Sequence, residues 1–559
     1  MPIKRSGAAR RGAPRPLQCL TRQGLSPARR PLRSGLLAGA GRRLGPGGLV
    51  ILLLSAAPLA FTPSALRAEA PLSAIDWLSK SVTTPAVAPT ARPDEPPVAS
   101  GGALPYAVAS TPLDGPAPDA IGLIAPAVSG LPRNLWGAGL TDEIARAVLR
   151  DRMESLPALR QLFLTMLLAE ADPPIDSQGK GHLLQARIDK LLLIGALEQA
   201  AALISISGVA TPDLFRRGFD IAILTGKEDR ACQQMLKAPG LAPTLQAHVL
   251  CLARGGDWDA AALTLSTAEA LGEVPAAQAQ LLARFLDPDL FEGEPLPPPP
   301  NPVTPLDWRL YEAVGETIPT NSLPIAFSYA EIGPNSGWKA QIEAAERLTR
   351  AGTIAPNVLL DLYTARDPAA SGGVWERVRA FQNFDTALNL GERERIIATL
   401  PAAWSRMQEA ELEVPFAFLY GLRLSALQLE GEAGRIAFRI GLLSPALEEI
   451  IGGHSPRDET EQFLIGLAKG DLTGLRAPDS MGRAIAPAFL SPGLSDEAKV
   501  LLEGKRFGEA LLIAIEEIQR GVEGNASGVT RGLSLLREVR LETVARRTAL
   551  ELMILERRG

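Results

Sequence analysis

Two aspartates flank a tryptophan in GGDWDAAALTLSTAEALG, Gly255–Gly272, and paired carboxylates are what hydrolysis by general acid and base requires. Glycosidases set two such groups about 5 to 9.5 Å apart across the sugar they cleave. The run after the aspartates is helical in pattern, with Trp258, Ala261, Ala262, Leu265 and Ala268 at spacings of three and four as its expected buried stripe. Residues two apart on a helix diverge by about 200°, so Asp257 and Asp259 cannot converge on one bond. Asp257 reads instead as the N-cap of a helix starting at Trp258, and Asp259 as a first-turn acid favoured by the helix dipole. Glu448-Glu449 and Glu516-Glu517 read as solvated helix faces.

Other chemistry is sparse. The three histidines, His182, His248 and His454, form no HExxH or paired spacing, so no metal site is expected. GGHSPRDE, Gly452–Glu459, sets Ser455 beside a histidine but has Arg457 where a nucleophile elbow needs its second glycine. It reads as a loop capping a helix that begins near Asp458. Gly179-Lys180, Gly226-Lys227 and Gly504-Lys505 lack the Ser/Thr of a phosphate loop. No catalytic residue, cofactor-binding residue or metal ligand is therefore assigned, and no cofactor is expected. The one enzyme class kept as an alternative is a cell-envelope hydrolase acting on peptidoglycan through carboxylates. Seven Trp and five Tyr are few for a glycan cleft.

Charge divides the 559-residue chain. Residues 1–70 hold twelve Lys/Arg against one acid, leaving 45 basic and 61 acidic residues beyond them, a net charge of −16. So acidic a body repels phosphate backbones and anionic headgroups, which argues against nucleic acid and membrane surfaces as partners. The basic residues precede the apolar run LVILLLSAAPLAF, Leu49–Phe61, and the small-residue site Ala68-Glu69-Ala70, the order of a signal peptide. Cleavage after Ala70 and a periplasmic location are expected. The alternative is an inner-membrane anchor, although the run is shorter than a roughly 20-residue span and contains Pro58.

In an oxidising compartment Cys232 and Cys251 are a disulfide candidate. They fall on expected helices at about 227–237 and 244–254, and the Pro239-Gly240 turn between them brings the two thiols near one another. Two buried free thiols are the alternative.

Residues 71–130, rich in Pro, Ala, Ser and Thr, read as a disordered tether. Within it PLSAIDWLSKS, Pro71–Ser81, is an amphipathic island whose Ile75, Trp77 and Leu78 could dock on a partner or on the chain's own body. Helical periodicity starts at Thr141, read as an N-cap, and continues to the end. The expected organisation is a helical-repeat domain over 131–290, a Pro-rich linker at 291–305, a central helical domain over 306–480 and a C-terminal helical segment over 490–559.

Segment comparison adds a repeat. Leu184, Leu191, Gly195, Leu197, Ala200 and Ile204 share their spacings with Leu245, Leu252, Gly256, Trp258, Ala261 and Leu265. Glycine relieves a turn, the large residue fills the hairpin's crotch, and alanine permits close helix approach. The pattern resembles the tetratricopeptide repeat, whose second half is matched by Gly195, Leu197, Ala200 and Pro212, and by Gly256, Trp258 and Ala261 with Ala268 beyond. Ile188 and Val249 stand where that family has a first-helix glycine, and the copies lie 61 residues apart rather than about 34. The whole chain is also similar to uncharacterised exported alphaproteobacterial proteins, some with an antifreeze-glycopeptide label, through PLSAIDWLSKS after a basic signal. An ice-binding role would need a regular repetitive surface, which this sequence lacks. With helical periodicity and no run of alternating strands the expected fold is all-α, and the tetratricopeptide resemblance implies hairpins stacked as an irregular tetratricopeptide-like solenoid. Its implied function is a non-catalytic scaffold or adaptor for a protein or peptide partner in the envelope.

Overall fold

The computed structural model describes residues 117–150, 156–208, 211–369 and 372–555. Helix starts follow local chemistry: Thr211, Thr244, Asp257 and Asp458 each accept a hydrogen bond from the backbone N–H three residues on. Thr304 and Asp307 cap one another reciprocally, with Pro305 at the first helical position. The described residues form 25 α-helices and five 3₁₀ turns and no strand. Their one β-type contact is an isolated bridge between Ile124 and Ala169. The fold is all-α.

Several elements differ from the sequence expectation. Thr141 lies inside its helix, Thr141–Leu149, and does not cap it. Its backbone N–H and hydroxyl both donate to Asp176, at 2.8 and 2.7 Å, so a carboxylate 35 residues away holds that terminus. The tether ends earlier than residue 130. Pro118–Ala120 form a 3₁₀ turn, and the fully buried Arg187 donates to the carbonyls of Ile121, Leu167 and Ala169 at 2.7, 2.7 and 3.1 Å. Arg393–Glu409 and Ser480–Leu490 are helices despite Pro401 and Pro487 inside them.

The repeat segments form two helix pairs, His182–Leu193 with Leu197–Ser207 and Leu245–Arg254 with Trp258–Leu271. Gly195 and Gly256, at φ of 77° and 86°, reverse the chain in a left-handed conformation that a side chain would strain. Ala200 and Ala261 are buried at the helix contacts, as is Leu197. Trp258 is not: it is 49% exposed and rests against Phe285, ring centroids 6.0 Å apart. Ala262 is exposed as well. The copies differ at the turn as well: a Cβ on Gly195 would lie 3.2 Å from Ile325 and Leu348, whereas one on Gly256 would meet nothing within 4 Å.

Buried apolar side chains form two clusters. The smaller runs from Phe219 to Tyr311 and includes Cys232 and Cys251, which are joined by a disulfide. The larger takes in residues from Leu131 to Leu224 and from Trp308 to Leu555. The linker expected at 291–305 lies within the smaller cluster rather than between bodies. Leu306 and Leu310 share that cluster with Leu250 and Leu282, and the Tyr311 hydroxyl donates to the Pro297 carbonyl at 2.7 Å.

Helices near the two ends of the described chain meet. Gly508 N–H donates to the Leu135 carbonyl at 2.8 Å, and Arg506 pairs with Glu143 at 2.6 Å. The Glu551 carboxylate accepts from Ala158 N–H at 2.9 and 3.1 Å, capping the helix Pro157–Leu168. The helix Glu542–Ile554 packs against several others, which explains why its burial extends beyond one stripe to Leu550, Glu551 and Ile554.

Candidate binding cavity

Several of the acids singled out from the sequence, and His454, have structural partners. Asp257 accepts from Ala260 N–H at 3.1 Å, and Asp259 sits exposed in the first turn. Glu448 pairs with Arg546 at 2.9 Å, Glu516 with Arg150 at 3.2 Å, and Glu517 with Arg531 at 2.5 Å. His454 stacks on Phe438, centroids 3.9 Å apart, and its Nε2 lies 2.9 Å from Glu461. Asp458 caps that helix as expected, and Ser455 is exposed with His454 turned to a different partner. Among the described residues no group of three or more His, Cys, Asp or Glu could hold a metal ion, and no helix is long and apolar enough to cross a membrane. Ile75, Trp77 and Leu78 lie outside the described residues.

Two of the groups of buried charge that the sequence reading missed lie well inside the body. Asp189 receives both Nε and Nη2 of Arg217, the second at 2.8 Å, beside the buried Asp220. Burial pushes the Asp220 carboxyl up to about 8, against the pull of Arg216 and Arg217, and its Oδ2 has no partner among the described residues. Glu346 accepts from the Tyr363 hydroxyl at 2.6 Å and from Arg377 Nε and Nη2 at 2.8 and 2.7 Å. Burial raises the Tyr363 hydroxyl well above its ordinary value, so it stays a proton donor to Glu346. Neither group is among the residues lining the two cavities described next.

A cavity of about 700 Å³ lies where sequence-distant helices face each other. Its apolar lining includes Leu162, Ile354, Val414, Phe418, Leu443 and Val544, drawn from five separate stretches of chain. Polar and charged residues make up eleven of its 28 lining residues, Arg160, Arg350 and Arg547 among them. Arg350 Nε donates to the Ala410 carbonyl at 2.9 Å and lies 4.0 Å from Glu411. Gln199 donates to the Thr353 carbonyl at 3.4 Å and leaves its own buried carbonyl oxygen without a partner. Arg547 makes no ion pair among the described residues. A pocket of a few hundred Å³ with an apolar floor and polar groups around it has the character of a ligand or side-chain site. Its two acids are spoken for, Glu551 by Ala158 N–H and Glu411 by Arg350, and Phe418 is its one aromatic residue among those described.

One sequence signal could have located this surface. Phe416, Ala417, Tyr420, Gly421 and Leu424 bury one face of the helix Glu413–Ala426, and Val414, Phe418 and Leu422 form a second stripe at i, i+4 and i+8. Phe418 and Leu422 remain 52% and 48% exposed. A second apolar stripe on a solvent-facing helix is a binding signal rather than a folding one.

A further groove of about 490 Å³ lies between the helices Thr141–Leu149 and Phe507–Val522. Arg506 with Glu143 and Arg150 with Glu516 neutralise one another there, so it is a seam between helices rather than a site. Against protein-family models, curated proteins and solved structures, the chain has no match.

Proposed function

We propose that this protein is an exported, periplasmic helical-repeat scaffold that binds a segment of a protein partner and catalyses nothing. The observation that carries the reading is the apolar cavity bearing the half-exposed Phe418 and edged by Arg547. Apolar side chains of a bound segment would fill it, and an acidic residue beside them would meet the arginine. The basic and apolar leader before Ala70 and the disulfide, which suits an oxidising compartment, support export.

The test is a photo-crosslinking amino acid at Phe418, installed in the full chain in cells that make it. The expected result is one discrete adduct in the envelope fraction, mapped by mass spectrometry to a single contiguous segment of one protein. A diffuse ladder, or adducts only with small metabolites, would overturn the reading.

A further inference from the structure

We infer that the chain's own island Pro71–Ser81 occupies this cavity when no partner does, so that a bound protein must displace it. The inference rests on the reading of the cavity as a peptide site. The island carries the residue types that the lining calls for. Ile75, Trp77 and Leu78 supply apolar anchors, and Asp76 among them matches Arg547, the lining arginine with no ion pair among the described residues.

Connectivity favours the same occupant. The described chain starts at Ala117, pinned to the body by Asp119 and Arg187, and twelve residues later Ser129 is itself part of the cavity lining. Those twelve residues reach at most about 43 Å. The 40 residues from Trp77 to Ala117 reach at most about 130 Å, so the island can reach the cavity from its own anchor. A segment tethered at such a length is presented at an effective concentration of the order of millimolar. Even a weak fit then keeps the cavity covered, and a partner must bind more tightly than the free cavity alone would require. Trp77 lies beyond the expected cleavage site, so export leaves the device intact.

The experiment places a photo-crosslinker at position 77 of the full chain and maps the products. The expected product is an intramolecular link to Glu413–Ala426, Glu542–Ile554 or the loop at 352–356. Phe418→Asp should lower its yield by more than about tenfold, the loss of one anchor, while leaving the helical circular dichroism unchanged, since Phe418 is half exposed. A link to a second copy, to another protein or elsewhere on the body would overturn the inference, as would a link that survives Phe418→Asp. If position 77 gives none of the expected links while the probe at Phe418 still captures a foreign segment, the inference falls and the scaffold reading stands. If neither probe yields an adduct in the cavity, both fall.

Discussion

The indole of Trp136 occupies the space that a side chain on Gly508 would need: a Cβ there would lie 2.3 Å from Cζ3 of the ring. Trp136 is 1% exposed, so the ring has nowhere to retreat. The two residues are far apart in sequence, and their contact is one of the points where the ends of the described chain are joined.

Gly508→Ala should therefore destabilise the protein by about 1–3 kcal/mol, the cost of overpacking, despite alanine's better helix propensity. Gly452→Ala is the control, because nothing lies within 4 Å of its added methyl group. It should be neutral or stabilising by up to about 1 kcal/mol. Urea midpoints for both variants check the contrast, and equal shifts would refute it.

Reducing the disulfide should cost about 3 kcal/mol on the loop-closure argument for a separation of 19 residues. The double variant Cys232→Ser/Cys251→Ser should match reduced wild type in denaturant. Under denaturing, non-reducing conditions the full chain should show one reactive thiol, Cys19, and a chain lacking residues 1–70 none. Two thiols in the shorter chain would contradict the bridge.

Hydrogen bonds from the Thr141 hydroxyl and backbone hold the Asp176 carboxyl below its ordinary value of 3.8. A depressed folded-state value gives stability that is present above the unfolded pKa and lost as pH falls through the folded one. Asp176→Asn should thus trail wild type at pH 7 and close the gap in acid below about pH 4. A gap independent of pH, followed by thermal unfolding, would count against the assignment.

Asp220 runs the other way. Its carboxyl is raised from 3.8 to about 8 by burial, partly offset by Arg216 and Arg217, with Asp307 raising it further. Between those values the unfolded chain releases a proton that the native state keeps, so this group's contribution to stability falls as pH rises from about 4 to about 8. Asp220→Asn keeps the shape without titrating. It should gain on wild type across that window and hold its lead above it, as urea midpoints at pH 4, 6, 8 and 9 would register.

The parts of the fold set by neighbours in sequence were legible before the structure. Asp257 and Asp458 cap the helices they were expected to cap, and the Pro239-Gly240 turn brings Cys232 to Cys251, because each relation spans one turn or one hairpin. Relations set by distant chain were not. Thr141 has the composition of a cap, yet Asp176 does the capping. Trp258 has the spacing of Leu197, yet Leu197 is buried and Trp258 half exposed, and the turns differ too, since Ile325 and Leu348 from distant chain lie against Gly195 and nothing lies against Gly256. The cavity is assembled from seven stretches, and its one local trace was the second apolar stripe of Val414, Phe418 and Leu422.

The contact between Glu551 and Ala158 also bears on when the molecule can be built. Ala158 leaves the ribosome nearly four hundred residues before the carboxylate that caps its helix. At about 5–20 residues per second, the early helix waits on the order of twenty seconds to over a minute for that partner. During synthesis the nascent chain therefore has an unfinished wall, which leaves apolar surface open to chaperones until the helix Glu542–Ile554 emerges.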